Sequence, residues 1–468
     1  MKKKLLLPLL ALLMICSSCF QDNDDTIATA SVEDIQSFIY RGLNFFYLYK
    51  ADTPELADDA FASEEEKTTF LNSYASPENL FEDLRSPQDR FSLLVDDYIE
   101  LENALNGVSL SNGMGFGLVR YPDESENVFG YVRYVLPNTS AQTAGLQRGD
   151  IFNTVDGQQL TENNFNELLS PSSYTIGLAV FDGTTVLPQN ETVSLLKAQY
   201  AENPILQSNS FNVGGVKVGY LFYTGFTSEY DSQLNAVFAQ FQAEGVNELV
   251  LDLRYNGGGS VRTATYLASM ITGQFANQLL YSEQWNTERQ ADYAENGTFP
   301  SSFVNGGEGI NSLNLNRVYV LTSSRTASAS ELIINGLEPY INVMQVGGTT
   351  TGKFQASFLL YDAPAPGFRR SEANTGHTYA MLPLVFKTAN AAGFTDFVDG
   401  LVPDIEVLED YSNLGILGDS SEPLLAAALN DIMPGGLAPI RANLNTLVEV
   451  SETKANSPIY QIMLAENH

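Results

Sequence analysis

Ser328 and Lys353, twenty-five residues apart, are the two side chains whose types and settings could do covalent chemistry. A serine hydroxyl attacks a carbonyl well only when an adjacent base takes its proton. Histidine is the usual base, but the 468-residue chain has two histidines and one, His468, is the last residue. The other, His377, lies in the turn-like stretch Asn374-Thr375-Gly376-His377, and stays open as the base of a Ser–His–Asp arrangement. Lysine can serve if burial lowers its pKa from about 10.4 towards neutrality. Lys353 suits this, set between glycines and the apolar stretch Phe358-Leu359-Leu360. On an extended strand alternate residues share a face, so Gln355 or Ser357 could orient its ammonium. Around Ser328 the end of a strand (317–322) passes into a helix (330–340), a turn that aims N–H groups where an oxyanion would develop.

The elements that must position these groups follow from periodicity. From 215 to 407 strands alternate with helices: strand 216–222, helix 232–244, strand 249–253, helix 261–272, strand 317–322, helix 330–340, strand 342–346. Such alternation predicts an α/β core with a largely parallel sheet, its ligand sites at the carboxyl ends of strands. The apolar strand 249–253 ends in Asn256-Gly257-Gly258-Gly259, a tight turn at just such an end. Asp252 and Arg254 beside it read as a structural pair, Arg254 on a substrate carboxylate being the other reading. Residues 32–106 follow a helical period, with Ser31 and Asp34 placed to cap, and form a helical bundle or cap without chemistry of its own. Trp285 and the aromatic run at 47–49 read as packing. Ser328 or Ser330 caps the helix that follows. Glu331 is then a first-turn carboxylate favoured by the helix dipole, or a group that polarises the site.

Composition removes other chemistries. Both cysteines precede residue 20, so the folded body has no thiol and one internal histidine. Cysteine peptidases, multi-histidine metal sites and disulfide frameworks are set aside, and no metal or cofactor is expected. A formal charge of −32 argues against nucleic-acid partners. Gly347 to Lys353 nearly spells a phosphate-binding loop, but Phe354 replaces the Ser/Thr of that motif and a strand pattern follows where a helix should start.

Residues 108–202 change to short alternating strands. Gly113-Met114-Gly115-Phe116-Gly117-Leu118, then 135–151 ending in Arg148-Gly149-Asp150-Ile151, then Val155-Asp156-Gly157, resemble a PDZ domain of the bacterial protease type. The resemblance implies that Gly115, Phe116, Gly117 and Leu118 bind an extended peptide, backbone to backbone. With residues 249–259, 322–331 and 347–353 in place, the chain resembles the C-terminal processing (tail-specific) peptidases, serine endopeptidases with a Ser–Lys dyad. The resemblance implies Ser328 as nucleophile, Lys353 as base, and the N–H groups of Ala329 and Gly258 as oxyanion donors. It also implies an α/β core of ClpP/crotonase type. Thr326 stands where the family's stretch has its first serine. Ser357 stands where the family often has Gln, which leaves the partner of Lys353 open between Gln355 and Ser357.

Residues 1–18 read as an export signal: three lysines, an apolar run from Leu5 to Ile15, then small residues. Ser17-Ser18-Cys19 resembles a lipobox, with Cys16 where Leu is usual, so Cys19 would be lipidated and an acidic tether (19–30) follows. The expected order is signal 1–18, tether 19–30, helical domain 31–107, PDZ-like domain 108–202, peptidase core 203–410 and a helical extension 411–468. The function expected is cleavage of unfolded or C-terminally tagged polypeptides by an exported enzyme lipid-anchored to the bacterial outer membrane. The other reading is a peptide-binding lipoprotein that keeps the fold without turnover.

Overall fold

The computed structural model describes residues 29–123, 125–296, 300–304, 309–433 and 447–466. Cys19 and the signal segment lie outside them. A six-stranded sheet organises the α/β half, in the order Ile205–Val213, Val216–Tyr223, Glu248–Asp252, Arg317–Thr322, Asn342–Gly347, Ile405–Glu406. The first pair is antiparallel and all other neighbours are parallel. Alternation assigns each residue a face. Leu249, Leu251, Val318 and Val320 join one apolar cluster with the helices Asp231–Glu244, Val261–Thr272 and Ala329–Leu337. Val250, Tyr319 and Leu321 join the opposite cluster, closed by helix Pro423–Ile432 and by Tyr134 and Leu136. Because both faces are covered, these strands are near-continuous apolar runs. Ser328 and the glycine turn therefore follow the carboxyl ends of adjacent strands.

Helices Val32–Phe46, Glu64–Leu71, Pro77–Leu84 and Tyr98–Leu105 occupy the N-terminal stretch, the first capped by Ser31 as expected. They are no separate bundle. Phe38, Phe46 and Leu84 share one cluster with Phe358 and Phe386, and strand Leu93–Val95 pairs with Ala380–Leu382. Trp285 packs among Phe46, Phe358 and Phe386, a packing role as expected.

Residues 108–201 fold into a β-rich unit built on Met114–Arg120, Val128–Val135, Ile151–Val155, Ser173–Phe181 and Val186–Leu196. Its sheet takes a further strand from the C-terminal extension, Glu449–Glu452, antiparallel to Met114–Arg120. Among its described residues the extension has one α-helix, Pro423–Ile432; Glu449–Glu452 and Met463–Leu464 are strands. An open sheet edge offers unpaired N–H and C=O groups, and a Val/Ser/Thr-containing stretch has little helix propensity to set against them. Met463–Leu464 enters a second, mixed sheet between Gly259–Ser260 and Gln355–Ser357.

Arg254, two residues before the glycine turn, is fully buried. Its guanidinium donates to both Asp252 oxygens (Nε at 2.9 and 3.1 Å) and to Glu422 (Nη1 at 2.5 Å, Nη2 at 2.9 Å). The structural pair expected at 252 and 254 is part of a larger cluster, in which Arg254 meets Asp252, Glu422 and, at 3.4 Å, Glu409. Removing one partner of a buried ionic group leaves charge unpaired. Arg254→Ala should therefore lower the unfolding free energy by about 3–5 kcal/mol in urea titration; a loss under about 1 kcal/mol would contradict this account.

Candidate active site

Ser328 sits at the N-cap position of helix Ala329–Leu337, with φ 67° and ψ −118°. A positive φ is unfavourable for a residue with a Cβ and survives only where neighbours enforce it. Four hydrogen bonds do so from the glycine-turn strand and the helix. Ala327 N–H donates to the Asn256 carbonyl (3.1 Å), Ser330 Oγ to the same oxygen (3.0 Å), and Thr326 Oγ1 to the Leu253 carbonyl (2.9 Å). Thr326 thus uses the hydroxyl that a serine would have supplied. The fourth is Ser328 N–H to Glu331 Oε2, at 2.7 Å. The Ser328 Oγ is buried and makes no hydrogen bond.

Glu331 does more than face the helix dipole. Its Oε2 also accepts Lys353 N–H (2.8 Å), and its Oε1 accepts Gly352 N–H (2.7 Å) and Thr350 Oγ1 (2.5 Å). One carboxylate therefore joins the Ser328 turn to the Lys353 segment. It also takes the N–H groups with which a phosphate-binding loop would hold its ligand, and no helix follows Lys353, so that reading is set aside.

The Lys353 side chain is buried, its Nζ 4.8 Å from the centre of the Phe91 ring. Burial pulls its pKa down to about 7, against the opposing pull of the Asp89 and Glu331 carboxylates. Asp89 is fixed by the Tyr47 hydroxyl (2.8 Å) and by the N–H groups of Phe91 and Ser92 (2.9 and 2.8 Å). Arg90 donates to the Gly352 carbonyl at 2.9 Å. The N-terminal region, expected to carry no chemistry, thus forms a wall of the lysine pocket. The stretch Asp89-Arg90-Phe91-Ser92 between two helical patterns was the available signal, a compact group of polar and aromatic residues outside any period.

Gln355 and Ser357, the two expected orienting groups, do not share a regular strand face with Lys353. The strand begins at Gln355, after Lys353, and its register shifts between Ala356 and Ser357, so two-residue alternation does not carry from Lys353 to Ser357. Gln355 Nε2 donates to the Tyr49 hydroxyl at 2.8 Å, while its Oε1 is buried and unpartnered. Tyr49, expected to be packing, therefore reaches the site. No hydrogen bond joins Gln355 or Ser357 to Lys353. Of the expected oxyanion donors, Ala329 N–H opens the helix, where no intrahelical acceptor exists. Gly258 N–H instead donates to Asn256 Oδ1 at 2.9 Å. Gly258 still borders the serine: at φ +103° a Cβ there would stand 2.6 Å from Ser328 Cβ. His377 is occupied elsewhere, its Nε2 3.1 Å from Asp362 Oδ2 and its Nδ1 accepting Tyr379 N–H, so it is not the base of Ser328. Gly115, Phe116, Gly117 and Leu118 lie on the strand that pairs with Glu449–Glu452. Among the described residues no group of three or more His, Cys, Asp or Glu side chains is placed to hold a metal ion.

This arrangement has counterparts. Residues 217–363 match the profile of peptidase family S41, and residues 34–93 match the peptidase S41 N-terminal domain. The chain thus carries two domain signatures of peptidase family S41, one over the core and one over the N-terminal region. It is 24% identical over 311 residues to a carboxyl-terminal-processing protease of Synechocystis sp. (65% of this chain, 64% of that protein). A Picosynechococcus sp. protein of the same description is 28% identical over 232 residues, 48% of this chain and 52% of that one. The chain thus spans between half and two thirds of these relatives. Among solved structures, an S41 protease from Bacteroides fragilis superposes with a TM-score of 0.64 at 28% identity, over 84% of this chain and 96% of that one. The photosystem II D1 C-terminal processing protease shares the fold (TM-score 0.50, 19% identity, 87% and 100% covered). The S41 N-terminal match ends at residue 93, so it includes the segment that walls the lysine.

The lowered lysine pKa has a stability consequence. Between about pH 7 and the unfolded value near 10.4, the unfolded chain holds a proton that the folded chain lacks. Stability from this group is therefore lowest at and below neutral pH and recovers as pH rises through that window. Lys353→Met, which removes the penalty, should stabilise the fold by about 2–4 kcal/mol at pH 7 and by progressively less towards pH 10. Denaturant melts across pH measure this, and a gain independent of pH would refute it.

Proposed function

We propose that the chain is a serine endopeptidase that cleaves unfolded or C-terminally tagged polypeptides, with Ser328 as nucleophile and Lys353 as base, on a core of ClpP/crotonase type. The observation that carries the reading is the shared carboxylate: Glu331 Oε2 accepts both Ser328 N–H and Lys353 N–H. One carboxylate thereby ties the main chain at Ser328 to the main chain at Lys353, and burial lowers the lysine pKa to about 7. A base works best when its pKa lies near the working pH.

In this mechanism neutral Lys353 takes the Ser328 Oγ proton as Oγ bonds to the scissile carbonyl carbon. The oxyanion is held by Ala329 N–H and by Gly258 N–H, the latter after release from Asn256 Oδ1. Lys353 ammonium then protonates the leaving amine as the C–N bond breaks, giving an ester on Ser328. A water deprotonated by Lys353 adds to the ester carbonyl, and the Lys353 ammonium then protonates Ser328 Oγ as the acyl C–O bond breaks, releasing the acid. Gln355 is the better placed partner for the ammonium, because its Oε1 is buried without a hydrogen bond. The β-rich unit acts as a PDZ-like peptide-binding module through the strand carrying Gly115 to Leu118, on the side that Glu449–Glu452 occupies. A backbone edge that accepts an extended segment is the recognition mode this requires.

Ser328→Ala should abolish cleavage of an unfolded protein substrate. The wild-type rate should rise with pH through an apparent pKa near 7, since the deprotonated lysine is the active form. Equal cleavage by both proteins, or by neither, refutes the Ser–Lys reading. For the anchor, the sequence around Cys19 supports lipidation and attachment to the outer membrane. Metabolic palmitate labelling should be lost on Cys19→Ser, and retention of label would overturn it.

A further inference from the structure

Residues 447–466 follow the path that a substrate strand needs. At one end, Glu449–Glu452 extends the β-rich sheet along the proposed peptide-binding edge. Arg120 N–H donates to the Val448 carbonyl (2.9 Å) and Thr453 N–H to the Phe116 carbonyl (3.0 Å), while Phe116 N–H donates to Thr453 Oγ1 (2.6 Å). At the other end, Gly259 N–H donates to the Ile462 carbonyl at 2.7 Å, and Met463–Leu464 fills the gap between Gly259–Ser260 and Gln355–Ser357. A Cβ on Gly258 would stand 2.5 Å from the Ile462 oxygen and 2.8 Å from Ser328 Oγ. The Ile462 peptide therefore lies beside the nucleophile, and a scissile peptide cannot occupy the glycine turn while it is there.

Two arginines grip the segment. Arg133, on strand Val128–Val135, pairs with Glu449 through Nη2 and with Glu452 through Nη1. Arg325, three residues before Ser328, has Nη2 3.2 Å from Glu449 and Nε 3.8 Å from Glu452, and its Nη1 donates to the Tyr460 hydroxyl at 3.0 Å. Arg133 is buried, and an unpaired buried guanidinium is strongly unfavourable. The register shifts between Glu449 and Ser451, and this bulge lets two carboxylates three residues apart, on what would be opposite faces of a regular strand, meet the same pair of arginines. Gly117 makes room for one of them: a Cβ there would stand 2.7 Å from Glu449 Oε1. A cavity of about 240 Å³ stays open beside Ser451 and Thr453, so the segment fills its groove incompletely.

Resting on the peptidase reading above, we infer that residues 447–466 are an internal occupant of the substrate path, and that Arg133 and Arg325 recognise the carboxylates of an acidic, extended peptide that displaces it. Substrate entry then exchanges one pair of carboxylates for another.

The full mature chain tests this. With Ser328→Ala to prevent turnover, the chain carrying Glu449→Gln and Glu452→Gln should bind a fluorescent synthetic peptide of residues 447–466 at least tenfold tighter than the chain with its own segment intact. Adding Arg325→Gln should remove that gain; equal binding by all three proteins overturns the inference. A second measurement needs no variant of the segment. In the otherwise wild-type chain, excess of the same peptide should speed hydrogen exchange at Thr453 and Ala465 N–H at least fivefold, and a peptide with both glutamates replaced by glutamine should not. Unchanged exchange shows a permanent structural strand and overturns the inference. Both measurements read binding, so their failure is separate from failure of Ser328→Ala to abolish cleavage.

Discussion

The Glu331 carboxylate is the constraint on which the site depends. It is buried, and burial pushes its pKa up, since taking a carboxylate out of water favours the neutral form. Three main-chain N–H groups and one hydroxyl oppose that shift, and the first turn of a helix adds its dipole. Because three of its four donors are backbone, the carboxylate fixes where the Ser328 and Lys353 main chains stand, whichever rotamers their side chains adopt. The unpartnered Ser328 Oγ and the absent hydrogen bond to Lys353 are in keeping with a site completed by substrate, as catalytic contacts often tighten only in the complex.

Lys353 shows the same division between frame and chemistry. Two carboxylates act to keep it charged, yet desolvation outweighs them. That burial comes from pieces distant in sequence: the Phe91 ring lies 262 residues before the lysine it faces. The N-terminal helices share the main apolar cluster because they must hold this wall. A detachable cap would let water reach the ammonium and restore an ordinary lysine pKa.

What was legible in the sequence was local. Strands such as 249–253 and 317–322 are apolar on both faces, and each ends at a change of pattern, so the sheet and its two turns could be read from period and punctuation. Ser328, Lys353 and the glycine turn were legible for the same reason. The contacts between them were not. Glu331 looks like any first-turn carboxylate until the Thr350–Lys353 loop folds onto it. The alternation from Lys353 to Ser357 fails at a register shift that no residue type announces. Four residues with two glutamates, 449–452, have too little apolar pattern to read as a strand; a sheet edge more than 300 residues earlier makes them one.

The overall acidity of the chain conceals a chain of buried arginines between the β-rich unit and the peptidase core. Arg148 donates to the Tyr255 hydroxyl and to Glu409 (2.8 Å each), and Arg254 continues the path to Asp252 and Glu422. Every partner in that bridge belongs to the folded body. The second bridge, from Arg133 to Arg325, is closed by Glu449 and Glu452 of the C-terminal segment. The two bridges differ in what can be exchanged. Loss of a carboxylate from the first strands a guanidinium that no ligand can reach, so it fixes the β-rich unit on the core. Loss of carboxylates from the second can be made good by any extended peptide that brings two of its own. Peptide capture at the edge strand and clearance of the Ser328 turn are then one event, because one segment of backbone spans both.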